Sequence, residues 1–204
     1  MKLTVIFETW HIPDGNYDPF YLGMRVKLAF QLEPIHVEIV NKERPESFRN
    51  AEDALYTFCG TILKLYEEDE TIAVVQFNNF KAYVESSPKG IPKFTEGDRI
   101  EGEAELLLDY YIWTESFSSR EGVPNLYYDF TVKRIRAVRI PETFITSHEK
   151  GMSHPCSLRP GQYGQSDLTD VENMEETGVK FYLVDLDDEF TQATKIEHVV
   201  DEHS

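Results

Sequence analysis

FTEGDRIEGEAELLLDYYI, residues 94–112, is the segment from which the fold class follows. Glu96-Gly97-Asp98 reads as a turn. Beyond it Ile100, Gly102, Ala104, Leu106, Leu108, Tyr110 and Ile112 fall on one side of a two-residue repeat, while Arg99, Glu101, Glu103, Glu105 and Asp109 fall on the other. This is the pattern of a half-buried strand, about twice the usual length of roughly 5–6 residues. Gly102 and Ala104 leave its inner face nearly empty, where a strand can bend tightly or admit another backbone. The expectation is a coiled strand serving two sheets of a barrel or sandwich.

On the N-terminal side of this segment, Leu55 to Tyr66 is apolar on both faces with Gly60 in its middle, which predicts a central strand bulged at that glycine. Glu67 to Glu70 turns the chain into the apolar run Thr71–Phe77, so the two runs read as a hairpin. Strands are also predicted at Leu3–Phe7, Arg25–Glu33, Phe80–Val84, Leu126–Ile140 and Val179–Leu186. In the fourth of these the apolar phase changes, predicting a bulge near Lys133-Arg134. Short helices are expected only at Lys42–Asp53, capped by Ser47 or Asn50, and at Asp167–Glu176. Trp113 is followed by a polar segment, residues 114–125, that reads as a surface loop.

The predicted fold is therefore mainly β, a bent antiparallel barrel or two-sheet sandwich with few short helices. Turn-then-strand units of this kind occur in OB-like barrels. Shifted by 74 positions, Phe20, Gly23, Arg25, Val26 and Leu32 line up with Phe94, Gly97, Arg99, Ile100 and Leu106. That alignment has the form of an internal repeat, though two turns that each need a glycine would produce it too. The expected organisation is one β-rich domain over 1–204, or two packed β units at about 1–50 and 51–140. A long loop at 141–165 and an acidic C-terminal segment at 166–204 follow.

The formal net charge is −17, and residues 167–204 alone hold 12 Asp/Glu against two Lys. A field of that sign repels nucleic-acid backbones and anionic membranes and attracts basic partners. Two cysteines without a CxxC pair fit a reducing compartment, and no window carries the roughly 18 apolar residues of a membrane span. The N-terminus MKLTVIFETW lacks the apolar region of a signal peptide. A cytoplasmic protein is the expectation, with neither nucleic acid nor membrane as a partner.

No nucleotide-binding glycine loop, nucleophile elbow, zincin helix or EF-hand loop is present, so no cofactor is expected and an enzyme is disfavoured. The leading functional expectation is an acidic binding or inhibitory protein, immunity-protein-like in character, that engages a basic protein partner. Its surface would use the aromatics Trp10, Tyr17, Tyr21 and Trp113 with Glu101 and Glu103. The alternative is an enzyme or small-ligand binder with a site between β units, closed by the 141–165 loop. Candidate metal ligands are His148, His154 and Cys156, whose imidazoles and thiolate suit zinc, and the carboxylates Asp185 and Asp187, which suit harder cations. Lys133, Arg134, Arg136 and Arg139 form a basic cluster, expected to pair with carboxylates such as Glu101, Glu103 and Glu105.

Overall fold

The alternating stretch is a strand, Arg99–Leu108, and Ile100, Ala104, Leu106 and Leu108 on its inner face are fully buried. The computed structural model describes residues 1–15, 17–67, 71–85, 93–109, 111–139, 163–171 and 179–187. Among them the strands in chain order are β1 (Lys2–Glu8), β2 (Arg25–Leu28), β3 (Phe30–Val40), β4 (Ser47–Glu52), β5 (Leu55–Glu67) and β6 (Thr71–Phe77). They continue as β7 (Phe80–Glu85), β8 (Arg99–Leu108), β9 (Tyr128–Arg139), β10 (Gly164–Leu168) and β11 (Val179–Asp187). Among the described residues helix is confined to a 3-10 turn at Thr9–His11 and a π-helical turn at Ile112–Phe117.

Strand β8 serves two sets of strands, as its empty inner face predicts. It pairs antiparallel with β3 and β5 and touches β1 in parallel at Ile6 and Leu107. Strands β3, β7, β6, β5 and β8 pair in turn and close into a five-stranded barrel. A second circuit runs β8, β1, β11, β9 and β2, and returns to β3 through the single residue Ala29. The β3/β8 ribbon is common to both. Gly102 is what lets that ribbon close: a Cβ there would lie 2.0 Å from the His36 carbonyl oxygen, where β3 bulges between Pro34 and His36.

The two stretches that align at an offset of 74 adopt one geometry. Gly23 and Gly97 have φ of 84° and 86°, a region closed to most side chains. Gly23 N donates to Val132 O and Val132 N to Met24 O, at 2.8 and 2.9 Å; Gly97 N donates to Ile62 O and Ile62 N to Asp98 O at the same two distances. The match extends beyond the turns. Leu63 is bulged out of the β5–β6 pairing as Lys133 is out of β9–β11. Ala82 faces Val75 as Leu3 faces Leu186. About the pair Leu32 and Leu106 the ribbon maps onto itself, Phe30 opposite Leu108 and Ala104 opposite Pro34. Strands β1, β2/β3, β5 and β6 thus play the roles of β7, β8, β9 and β11, and each circuit takes strands from both sets.

Several local expectations change. The Lys42–Asp53 segment is a turn at Asn41–Arg44 followed by β4, not a helix, because its apolar Phe48 packs against the core while its neighbours stay at the surface. Within Asp167–Glu176, residues 167 and 168 end β10, and 172–176 lie outside the described residues. Gly60 pairs regularly with Ile100 and admits the Phe77 ring, so the bulge of β5 falls at Leu63 instead. The segment after β8 is packed rather than a surface loop: Trp113, Phe117, Val123 and Leu126 cover Ile72, Val74 and Tyr83 on the outside of the barrel.

Candidate functional site

Alternation along β8 that sends Ile100 and Ala104 inward sends Glu101 and Glu103 outward. Register then fixes their neighbours: Glu101 stands opposite Glu38 on β3 and Cys59 on β5, and Glu103 opposite His36 and Thr57. Together with the Arg44–Arg49 segment these side chains line a groove of about 690 Å³. Like charges directly opposite one another destabilise a sheet. Arg44 relieves one, its Nε lying 2.6 Å from a Glu101 oxygen, and Arg99 is held 2.8 Å from Glu46. Burial pushes the Glu46 pKa up, but bonds from Asn78 N–H, Thr61 and Arg99 outweigh it and keep the carboxylate ionised. Glu38 and Glu103 have no ion-pair partner among the described residues.

A second concavity, of about 420 Å³, lies between β2 and the segment leading from β8 to β9. Asp109 builds its wall. It is fully buried, and its Oδ1 accepts from the Tyr83 hydroxyl at 2.7 Å and from Trp113 N at 3.0 Å. Its Oδ2 accepts from Thr114 N and Oγ1 at 2.9 and 2.6 Å, so one carboxylate folds the π-helical turn onto the barrel. Between them Tyr111 is held at φ 109°, which for a side chain of that size stores roughly 1–3 kcal/mol and occurs disproportionately at ligand sites. Tyr17 donates to the Asp109 carbonyl at 2.5 Å, and Tyr127 donates to Thr114 Oγ1 at 3.0 Å. Lys27 Nζ lies 5.7 Å from the Tyr127 ring centre.

Beneath this wall His11 is 1% exposed among Phe7, Trp10 and Tyr17. Burial lowers its pKa from 6.5 to about 4, against the pull of Asp109 in the other direction. The unfolded chain therefore binds the extra proton between those values. Stability is fully present above pH 6.5 and is lost as pH falls toward 4, by about 3 kcal/mol at most. Urea midpoints at pH 7.0 and 4.5 should show that loss in the native chain and a much smaller one in His11→Phe. Equal pH slopes in both would refute the assignment.

The third polar assembly is internal. Arg136 NH1 lies 2.5 Å from Asp53 Oδ1 and 3.1 Å from Gln165 Oε1, and its NH2 lies 2.8 Å from Asp185 Oδ1. Tyr163 and Gln165 complete Asp53 at 2.8 and 2.9 Å, and Thr4 Oγ1 reaches Asp185 at 2.8 Å. Burial raises the Asp53 pKa, yet these donors more than reverse it and the carboxyl stays below the usual carboxylate range. With its charges matched inside, the cluster ties the β4–β5 turn to β9, β10 and β11.

The surface residues expected from sequence do not form one face. Trp10 and Tyr17 are half-buried around the Tyr111 pocket, Tyr21 is exposed, and Glu101 and Glu103 line the acidic groove. Trp113 is fully buried between Tyr83 and Phe117, so the exposed anchor expected there is absent: the π-helical turn carries the ring inward. Asp185 is occupied by Arg136 and Thr4. Asp187 stands opposite Lys2 at the rim of a smaller cavity that Lys133 also lines. His148, His154 and Cys156 lie outside the described residues, among which no group of three or more His, Cys, Asp or Glu has metal-binding geometry. Arg134 and Arg136 of the basic cluster are ion-paired, but with other carboxylates than expected. Arg134 is held by Asp167 at 2.6 Å, Arg136 by Asp53 and Asp185, and Arg139 donates to Ser166. With Lys133 exposed and Arg136 buried, the four do not share an exposed face.

Sequence reasoning missed the role of Asp109, since an acidic residue at a strand end looks like any solvated carboxylate. Among the described residues, no helix is long and apolar enough to cross a membrane. Comparison of the chain with protein-family models, curated proteins and solved structures finds no match in any of the three.

Proposed function

We propose that this is a binding protein of the cytoplasm that receives a basic segment of a protein partner in the groove across β3, β8, β5 and β4. One observation carries the reading: Glu38 faces Glu101 directly, with Glu103 one row away, and Glu38 and Glu103 are left without ion-pair partners among the described residues. Arg44 offsets the charge of Glu101 but leaves Glu38 and Glu103 unmatched, so lysine or arginine side chains that enter beside them remove a local cost and gain part of their binding free energy there. The net charge of −17 steers such a partner from a distance. Cys59, a free thiol buried in the groove floor, agrees with a reducing compartment. The inhibitory character is carried by the same chemistry, since a basic surface that binds nucleic acid is blocked by an acidic one.

The test is affinity capture from source-cell lysate at low and high salt, with the native chain and a Glu38→Lys, Glu101→Lys, Glu103→Lys triple variant as baits. The expected result is a basic protein recovered at low salt, released at high salt, and bound at least tenfold more weakly by the variant. Glu38→Lys alone should also raise stability by up to about 1 kcal/mol, because it turns a like-charge pair into an opposite one. Recovery of the same protein by the triple variant would sink the proposal, as would loss of stability in Glu38→Lys.

A further inference from the structure

The Tyr111 pocket stands at a position that matches the acidic groove. Arg25 and Lys27 of β2 occupy the places of Arg99 and Glu101 of β8, by the pairing of β2 with β9 and of β8 with β5. Their chemistry has diverged. In the groove Arg99 and Glu101 are neutralised by Glu46 and Arg44, whereas around the pocket Arg25, Lys27, Asp18 and Glu115 enter no ion pair among the described residues. Besides Asp109, whose carboxylate is taken up by Tyr83, Trp113 and Thr114, two cations and two carboxylates thus line a cavity walled by the half-buried tyrosines 17, 111 and 127, with no ion pair between them.

We infer that this pocket binds a neutral polyhydroxylated ring, the chemistry of a sugar unit. The volume of about 420 Å³ lies within the range of roughly 300–1,000 Å³ typical of small-molecule sites. Three aromatic walls suit a ligand with a flat C–H face. An anion would gain from Arg25 and Lys27 but would meet Asp18 and Glu115, and a cation would meet the reverse. A hydroxyl offers one donor and two acceptor lone pairs, so a ring of hydroxyls uses carboxylates and cations together without net charge. The strained backbone of Tyr111 fits such a role, because the Asp109 bonds that enforce it also fix the ring in the wall before any ligand arrives. This site is independent of the acidic groove and shares none of its lining residues.

The experiment is a titration of the full chain, followed by tyrosine and tryptophan fluorescence and by two-dimensional NMR. The probes are neutral mono- and disaccharides of glucose, galactose, mannose and N-acetylglucosamine, beside AMP and tetramethylammonium. The expected result is saturable shifts with at least one neutral sugar, centred on residues 111–115 and 25–28, and none with the two ions. Tyr127→Ala should weaken the response at least tenfold. Tyr111→Gly should do the same while raising the melting temperature, since glycine relieves the backbone strain as it removes the ring; that opposite movement separates a binding role from a structural one. Glu101→Lys should leave sugar binding unchanged whatever it does to a protein partner. Shifts with AMP or tetramethylammonium alone, or with no probe in the set, would overturn the inference, as would sugar binding that survives both tyrosine substitutions.

Discussion

A Gly102→Ala chain should lose roughly 3 kcal/mol of stability or more, and should be largely unfolded if the native protein has only modest stability to spare. The added Cβ lies 2.0 Å from His36 O, 2.9 Å from its carbonyl carbon and 3.0 Å from Val37 Cα, all backbone atoms. No side-chain rotation can make room. The β3/β8 ribbon itself must part, and both circuits of strands run through that ribbon. Gly164→Ala is the control, because the nearest atom to its added carbon is Arg139 O at 3.9 Å and its effect should fall within about 0.5 kcal/mol of zero. Urea unfolding followed by far-UV circular dichroism distinguishes the two. A Gly102→Ala midpoint equal to that of the native chain would show that the ribbon does not close as tightly as described.

Arg136→Leu should be the other severe substitution, costing about 3–5 kcal/mol. The guanidinium is matched by Asp53 on one side and Asp185 on the other, with side-chain exposures of 8%, 17% and 28%. Removing it leaves two neighbouring, largely dehydrated carboxylates facing each other. The cost belongs to those stranded charges more than to the lost attraction, so adding Asp53→Asn and Asp185→Asn to Arg136→Leu should recover most of the stability. Thermal unfolding of the single and triple variants decides it. A triple variant no more stable than the single one would place the effect in lost packing instead.

Both features bear on what could be read before the fold was known. The alternation from Arg99 to Leu108, the empty inner face at Gly102, the hairpin of β5 with β6 and the extra residue at Lys133 are local patterns of period and turn chemistry, and they appear as expected. So does the kinship of the Gly23 and Gly97 turns, since a positive φ demands glycine at both. Arg136 was visible only as one member of a basic run. Its partners Asp53 and Asp185 lie 83 and 49 residues away, and no local spacing encodes a meeting of that kind. Asp109 was misplaced for a different reason: strand alternation assigns it outward, whereas the chain leaves the strand there and wraps the π-helical turn around its carboxylate. Trp113 went with it. Of the groove, the carboxylates on β8 were legible, but Glu38 and Arg44 joined them only through sheet register.

The exchange of strands between the two circuits also orders events in time as the chain leaves the ribosome. The barrel of β3, β7, β6, β5 and β8 has every strand it needs once residue 108 has emerged. The other circuit cannot close until β11 has been made, because β1 waits for a partner whose last residue, Asp187, pairs with Lys2. Between the emergence of residue 108 and that of residue 187 the first strand is therefore a finished strand with one open edge, beside a barrel already complete. Such late, long-range closure is slow and exposes sticky backbone meanwhile. A nascent chain of this design has reason to engage a chaperone at β1, and to release it only once β11 has emerged.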